Sequence, residues 1–266
     1  MGVSRSPALP LPSSPTPMSL LPQSFAFALT LTALLLLSRW ITRQVLWLGH
    51  RLTNDENTAL IGYYLLLFPG ILLHELSHVA LAKILGLKVG KFSLGPKPRR
   101  NSVELGSVMV SRGDALRESL VGLAPFLGGT IALLAIGYWV FDVATLEQAW
   151  RAGGWQGALR ASDGIWRVPD FWLWAYLIFA ISNAMTPSPA DRQPWLIAGI
   201  YIGVAVGVAY LLGALSWLPV GLGDNVAGGL QVLTLAFTFT LIVDLLAAVA
   251  LFVAEIIIVQ AQARQK

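Results

Sequence analysis

The length, composition and charge of the chain indicate a membrane protein. Of its 266 residues, 56% are apolar and only 12% are charged, whereas soluble domains average roughly 45–50% and 25%. The chain has no cysteine, which excludes a disulfide framework and a thiolate metal site. The net charge is +4, but the basic residues gather at 83–117, and no array of alternating aromatic and basic residues resembles a nucleic-acid surface, so we expect no nucleic-acid partner.

The apolar residues fall in blocks long enough to cross a lipid bilayer, for which about 20 residues suffice. Residues 1–22 are rich in proline and serine and are predicted to be disordered. The remainder, 23–266, is predicted to be a single membrane-embedded domain with an all-α polytopic fold. Its first apolar run is longer than the core of a signal peptide, so we expect a retained anchor. Six spans are predicted, at 25–41, 59–85, 119–141, 170–187, 195–218 and 228–258.

The distribution of basic residues predicts how the chain is oriented. With the N-terminus in the cytoplasm, twelve of the 18 lysine and arginine residues lie on the inner side and six on the outer side. This excess follows the positive-inside rule. We therefore expect a multi-pass protein of the bacterial inner (plasma) membrane with a cytoplasmic N-terminus.

The second predicted span contains a metal-site motif. Residues 74–78 read His-Glu-Leu-Ser-His and include two of the three histidines in the chain. Histidines four residues apart share a helix face and can bind one metal ion. Glu75 lies about 100° from His74 around the helix axis, close enough to act on a water bound to that metal. The motif therefore predicts a zinc site inside the bilayer.

A catalytic zinc site needs a third protein ligand, and Asp191 is the candidate. By residue count, Asp191 lies at an inner depth similar to that of the two histidines, beyond the fourth predicted span. Pro187 and Pro189 break the helix just before it, and freed backbone at membrane depth is tolerated where it lines a cavity. The alternative interpretation is an interfacial aspartate paired with Arg192.

The residues around Asp191 resemble a motif of the site-2 protease family of intramembrane zinc metalloproteases. That family carries His-Glu-x-x-His in one span and Asn-x-x-Pro-x-Pro-x-x-Asp-Gly in a later span, with the aspartate as third zinc ligand. This chain reads Asn183-Ala-Met-Thr-Pro187-Ser-Pro189-Ala-Asp191-Arg192. The spacing from asparagine to aspartate matches, the prolines are displaced by one position, and arginine stands where the family has glycine.

Further segments between the two motifs resemble the same family. Residues 87–95 (LKVGKFSLG) and 103–110 (VELGSVMV) are similar to the hairpin that follows its active-site helix, and 121–129 (VGLAPFLGG) resembles the start of its next span. The likeness covers about residues 59–195. We therefore expect a small membrane-associated β-hairpin after the active-site helix, with an edge strand that pairs with an unwound substrate.

The resemblance implies a zinc metallopeptidase that cleaves transmembrane protein substrates. His74, His78 and Asp191 would be the zinc ligands, and Glu75 would be the general base. Asn183 would donate a hydrogen bond to the developing oxyanion. The alternative for Asn183 is an ordinary interhelical hydrogen bond.

Two other functions stay open at this point. A membrane zinc protease of the prenyl-peptide-processing kind takes its third ligand from a glutamate on a later helix. Glu104 and Glu118 follow the motif too closely for this role, and Glu147 lies on the opposite side. A non-catalytic zinc-binding relative is the other candidate, favoured by the altered motif at Arg192 and opposed by the intact Glu75.

Two features are not explained by the motifs. Asp244 lies in the middle of the last predicted span, where an unpaired charge is costly, so it should be protonated or partnered within the bundle. It could line a water path to the zinc or make a structural hydrogen bond. Residues 142–169 carry Trp150, Trp155 and Trp166 among charged residues, a pattern typical of an amphipathic segment at the outer membrane surface.

Overall fold

The computed structural model describes residues 20–99, 102–213 and 221–264. Most of the segment predicted to be disordered, residues 1–19, lies outside the described residues, and the first helix begins at Leu20. The structure is 81% helical with one small two-stranded sheet. In chain order the elements are α1 (Leu20–Thr53), α2 (Glu56–Ile84), β1 (Val89–Arg99), β2 (Ser102–Val110), α3 (Ala115–Ala135), a π-helical turn (Ile136–Val140), α4 (Val143–Trp166), α5 (Phe171–Ala184), α6 (Trp195–Leu211) and α7 (Leu222–Ala263).

Three helices within the described ranges are long and apolar enough to cross a membrane, namely α1, α3 with the π-helical turn, and α7. The two halves of α2 qualify as a fourth span if they are counted together. Helices α5 and α6 have 14 and 17 residues, fewer than the roughly 20 that a bilayer requires. The predicted helical fold is confirmed, and its three long apolar helices, or four with α2, are compatible with a membrane protein. The six predicted spans stay a prediction.

Helix α2 is bent by 72° between the segments Glu56–Leu66 and Phe68–Ile84. Pro69 lies at the start of the second segment. A proline has no amide hydrogen and its ring crowds the carbonyl of the preceding turn, so it is a sufficient cause of this bend. The half of α2 that carries the histidine motif therefore runs in a different direction from the first half.

The predicted hairpin is present, directly after α2. Strands β1 and β2 are antiparallel, with Val89 opposite Val110 and Ser93 opposite Ser107. The register shifts twice along the pair, between Val89 and Phe92 and between Leu94 and Lys97. The hairpin packs against α2, so the chain folds back over the helix that carries the motif.

Helix α5 lies between α2 and α7 in the core of the bundle. It packs on both of these helices, while α1 runs along α7 and α3 packs on α2. Two clusters of buried apolar side chains fill the contacts between α5 and its neighbours. They include Leu34, Leu133, Ile178 and Phe237 in one cluster and Ile41, Leu67, Ala180 and Ala248 in the other. The core thus fixes the end of α5 beside the motif.

Most of the 142–169 segment forms α4, which is interrupted at Gly154, where φ is 56°. Trp150, Trp155 and Trp166 are all more than half exposed. The amphipathic character of this segment and its location at the outer membrane surface stay predictions.

Candidate metal centre

Helix α2 and the segment after α5 bring His74, His78 and Asp191 together. Their ligand atoms all lie within 4.8 Å of one another. Nε2 of His78 is 3.3 Å from Oδ1 of Asp191, and Nε2 of His74 is 3.9 Å from Oδ2 of the same carboxylate. These are the three residues that the sequence predicted as ligands, and they form a group that can hold a metal ion.

Both histidines are oriented by backbone carbonyls. Nδ1 of His74 lies 2.7 Å from the carbonyl oxygen of Ala184, and Nδ1 of His78 lies 2.8 Å from that of Val121. A carbonyl oxygen can only accept, so Nδ1 is the protonated nitrogen of each ring. The lone pair of Nε2 therefore faces the carboxylate and is available to a metal. Hydrogen bonding of the second ring nitrogen is the usual support of a metal-binding histidine.

The spacing of the donor atoms is compatible with a metal ion, although the set, within 4.8 Å, is wider than a tetrahedral zinc shell. Zinc binds nitrogen and oxygen at about 2.0–2.2 Å in tetrahedral geometry, which places neighbouring ligand atoms roughly 3.3–3.5 Å apart. The two measured distances from histidine nitrogens to Asp191 oxygens are 3.3 and 3.9 Å. Three protein donors leave one position of a tetrahedron open, as catalytic zinc sites require.

Asp191 is fixed by the turn that carries it. The backbone amide of Ser188 donates to Oδ2 of Asp191 at 2.7 Å, and the amide of Asp191 donates to Oγ of Ser188 at 3.3 Å. A hydrogen bond from a backbone amide favours the charged form of the carboxyl group that accepts it. The side chain is therefore a carboxylate at neutral pH, the form that binds metal.

The alternative pairing of Asp191 with Arg192 is not observed among the described contacts. Nε of Arg192 instead donates to the carbonyl of Ser188 at 3.4 Å. On its other side, Asp191 packs against α3. An added Cβ at Gly122 would overlap the carbonyl oxygen of Asp191, so glycine permits this close approach.

Glu75 lies under the hairpin. It is only 5% exposed, and an ideal Cβ at Gly106 would lie 2.6 Å from its Oε1 and 2.8 Å from its Cδ. The backbone of β2 is thus in contact with the carboxyl group. The structure places this group one residue after His74 on α2, beneath the strand that follows in the chain.

Asn183 belongs to a buried polar cluster between α5 and α7. Its Nδ2 donates to the carbonyl of Phe179 at 2.9 Å and lies 3.3 Å from Oδ1 of Asp244. Its Oδ1 is buried without a hydrogen-bond partner among the described residues. Ser182 Oγ donates to Asp244, so the expectation that Asp244 is partnered within the bundle is confirmed. The oxyanion role of Asn183 stays a prediction, beside the interhelical hydrogen bond that the structure contains.

Several groups at the site were not found by sequence reasoning. The carbonyls of Val121 and Ala184 orient the histidines, and Ser188 orients Asp191. A backbone carbonyl has no sequence signal, because every residue carries one. Gly106 and Gly122 were not connected with the site, although glycine is the residue that permits close backbone approach to a functional group.

Comparison of the chain with protein-family models, with curated proteins and with solved structures finds no match. The function is therefore inferred from the residues of this chain and their geometry.

Proposed function

We propose that the protein is an intramembrane zinc metalloendopeptidase, similar to the site-2 proteases, that cleaves transmembrane segments of membrane proteins. The observation that carries the proposal is the convergence of His74, His78 and Asp191, with donor atoms within 4.8 Å of one another. Two of these residues lie on an apolar helix that qualifies as a bent membrane span. A zinc site on such a helix favours proteolysis inside the bilayer over the chemistry of a soluble zinc protease.

His74, His78 and Asp191 would hold the zinc, which when bound supplies a water acidified to a pKa of about 7. Glu75 would accept a proton from the attacking water on a carboxylate oxygen and return it to the leaving amine. Its burial beneath β2, at 5% exposure, limits exchange of that proton with bulk solvent. Asn183 remains the proposed donor to the oxyanion by family resemblance.

The membrane arrangement proposed with this function has six crossings and a cytoplasmic N-terminus, in the bacterial inner membrane. It is supported by the three long apolar helices and the bent α2. In this arrangement α5 and α6, which have 14 and 17 residues, belong to the fourth and fifth crossings. The excess of basic residues on the inner side supports the orientation.

The hairpin supplies a place for the substrate backbone. A transmembrane helix satisfies its peptide groups internally, so cleavage first requires local unwinding at a cost in hydrogen bonds. A two-stranded sheet has unpaired edges, and an unwound segment could regain hydrogen bonds by adding to one of them. The contact of Gly106 with Glu75 means that a peptide held on this hairpin would lie near the general base.

A non-catalytic zinc-binding membrane protein is the second candidate. The contacts of Asn183 Nδ2 with Phe179 and Asp244 favour it, because a nitrogen committed to these acceptors is less available to an oxyanion. A protease of the prenyl-peptide-processing kind is less favoured, because an aspartate and not a glutamate completes the described metal group.

The proposal is tested by zinc content and cleavage measured on the same preparations in lipid nanodiscs. We expect the wild type to hold a single zinc ion and to cut a single-span substrate, and Asp191→Ala to lose both properties. Asp163→Ala is the matched control, because Asp163 is an exposed acid that pairs with Arg167, four residues further along the chain. A wild type that binds no zinc contradicts the proposal. A wild type that binds zinc but cuts no member of a panel of single-span substrates supports the second candidate.

A further inference from the structure

A buried carboxyl group lies between α5 and α7, apart from the three proposed ligands. Asp244 on α7 is 0% exposed, and Ser182 and Asn183 on α5 are 1% and 5% exposed. Ser182 Oγ lies 3.0 and 2.9 Å from the two oxygens of Asp244, and Asn183 Nδ2 lies 3.3 Å from Oδ1. No ion pair to Asp244 occurs among the described residues. The cluster thus consists of hydrogen bonds that tie the two helices together.

This cluster holds the turn that orients His74. Ser182 and Asn183 immediately precede Ala184, the last residue of α5. The carbonyls of the last turn of a helix have no partners within that helix, and the Ala184 carbonyl accepts from Nδ1 of His74 at 2.7 Å. A helix end tends to fray, so the position of this carbonyl depends on what fixes the last turn.

We infer that Asp244 is a positioning residue for the metal centre: through Ser182 and Asn183 it fixes the end of α5, and thereby the carbonyl that orients His74. The inference rests on the proposed function insofar as His74 is taken to be a ligand. It assigns Asp244 no contact with substrate or metal. Loss of the group that orients a metal-binding histidine commonly weakens metal binding by 10–100-fold. Asp244 does not bond to His74 or to the Ala184 carbonyl and acts through Ser182 and Asn183, so we expect a loss of zinc affinity at the lower end of that range.

The first test is zinc affinity, measured by competition with a chromophoric chelator in nanodiscs. Asp244→Ala should bind zinc about tenfold more weakly than the wild type. Asp244→Asn should restore wild-type affinity, because the amide keeps the shape of the side chain and can bond both Ser182 and Asn183. Thr240→Val is the matched control, since Thr240 is 1% exposed on the same helix and its hydroxyl donates to Ala236 of that helix. Equal affinities of Asp244→Ala and Thr240→Val would overturn the inference.

The second test needs no metal. Hydrogen–deuterium exchange of the metal-free protein should be faster in peptides covering residues 180–190 for Asp244→Ala, and unchanged for Asp244→Asn and Thr240→Val. Unchanged exchange in Asp244→Ala would overturn the inference even if the wild type binds zinc. If the wild type binds no zinc, the proposed function fails, and the exchange comparison alone decides whether Asp244 fixes the end of α5.

Discussion

Substitution of Gly106 tests whether the hairpin closes over the general base. A Cβ at this position would lie 2.6 Å from Oε1 of Glu75 and 2.8 Å from its Cδ and Cγ. Non-bonded carbon atoms are normally about 3.5–4.0 Å apart, so Gly106→Ala must separate the strand and the carboxyl group by roughly 1 Å. Glu75 is 5% exposed and has little room to turn away. A displacement of about 1 Å can slow catalysis by ~10²-fold, and we expect a loss of that order.

The assay is cleavage of a single-span substrate in nanodiscs, with zinc content measured on the same samples. Gly106→Ala should keep its zinc, because the nearest contacts of the added methyl group are with Glu75 and not with a ligand. Gly90→Ala is the matched control on the same hairpin, since its Cβ would lie 3.5 Å from Cβ of Met109, an ordinary contact. Equal cleavage rates of the two variants would refute this reasoning, and so would loss of zinc from Gly106→Ala.

Three further predictions concern the ligands, their packing and the position of the cut. Glu75→Gln should keep zinc but lose nearly all cleavage, whereas His74→Ala should lose both; wild-type cleavage by Glu75→Gln would disprove the general-base role. Gly122→Ala should weaken zinc binding, measured by chelator competition, because its Cβ would overlap the Asp191 carbonyl. Gly62→Ala is the control and should bind zinc normally, because the space around its Cβ is open. Equal zinc affinities of the two variants would contradict the close packing of α3 on Asp191. Mass spectrometry of products should place the cut within or just inside the span of the substrate, near its cytoplasmic end, and replacing helix-weakening residues there with leucine should slow cleavage. If the product termini lay in an outer loop of the substrate, and if the cleavage rate did not depend on helix propensity, the protein would instead be a membrane-anchored protease.

The local part of the metal site was predictable from the sequence. His74, Glu75 and His78 lie within one and a half turns of a helix, so their spacing alone sets which residues share a face. The hairpin was also predicted, from the resemblance of residues 87–95 and 103–110 to the hairpin of the site-2 protease family. Asp191 was predicted as a ligand from its depth and from resemblance, but depth gives only its position along the membrane normal. Its contact with the histidines required the packing of α5 and α3 on α2.

Other features depended on packing that no local pattern describes. Pro69 is visible in the sequence, but the 72° bend between the halves of α2 was not predicted. The sequence predicted that Asp244 is either protonated or partnered within the bundle, and the structure identifies Ser182 and Asn183 as its partners.

Composition and local spacing are enough to indicate a helical membrane protein, the helix face that the two histidines share and the residue types able to bind a metal. These properties depend on composition and on neighbours a few residues apart. Packing between the elements sets which carbonyls orient the imidazoles, which glycine allows the hairpin to contact Glu75 and which helices hold Asp191 in place. Those contacts join groups that are distant in the chain, and they form only when the apolar surfaces of the helices pack together.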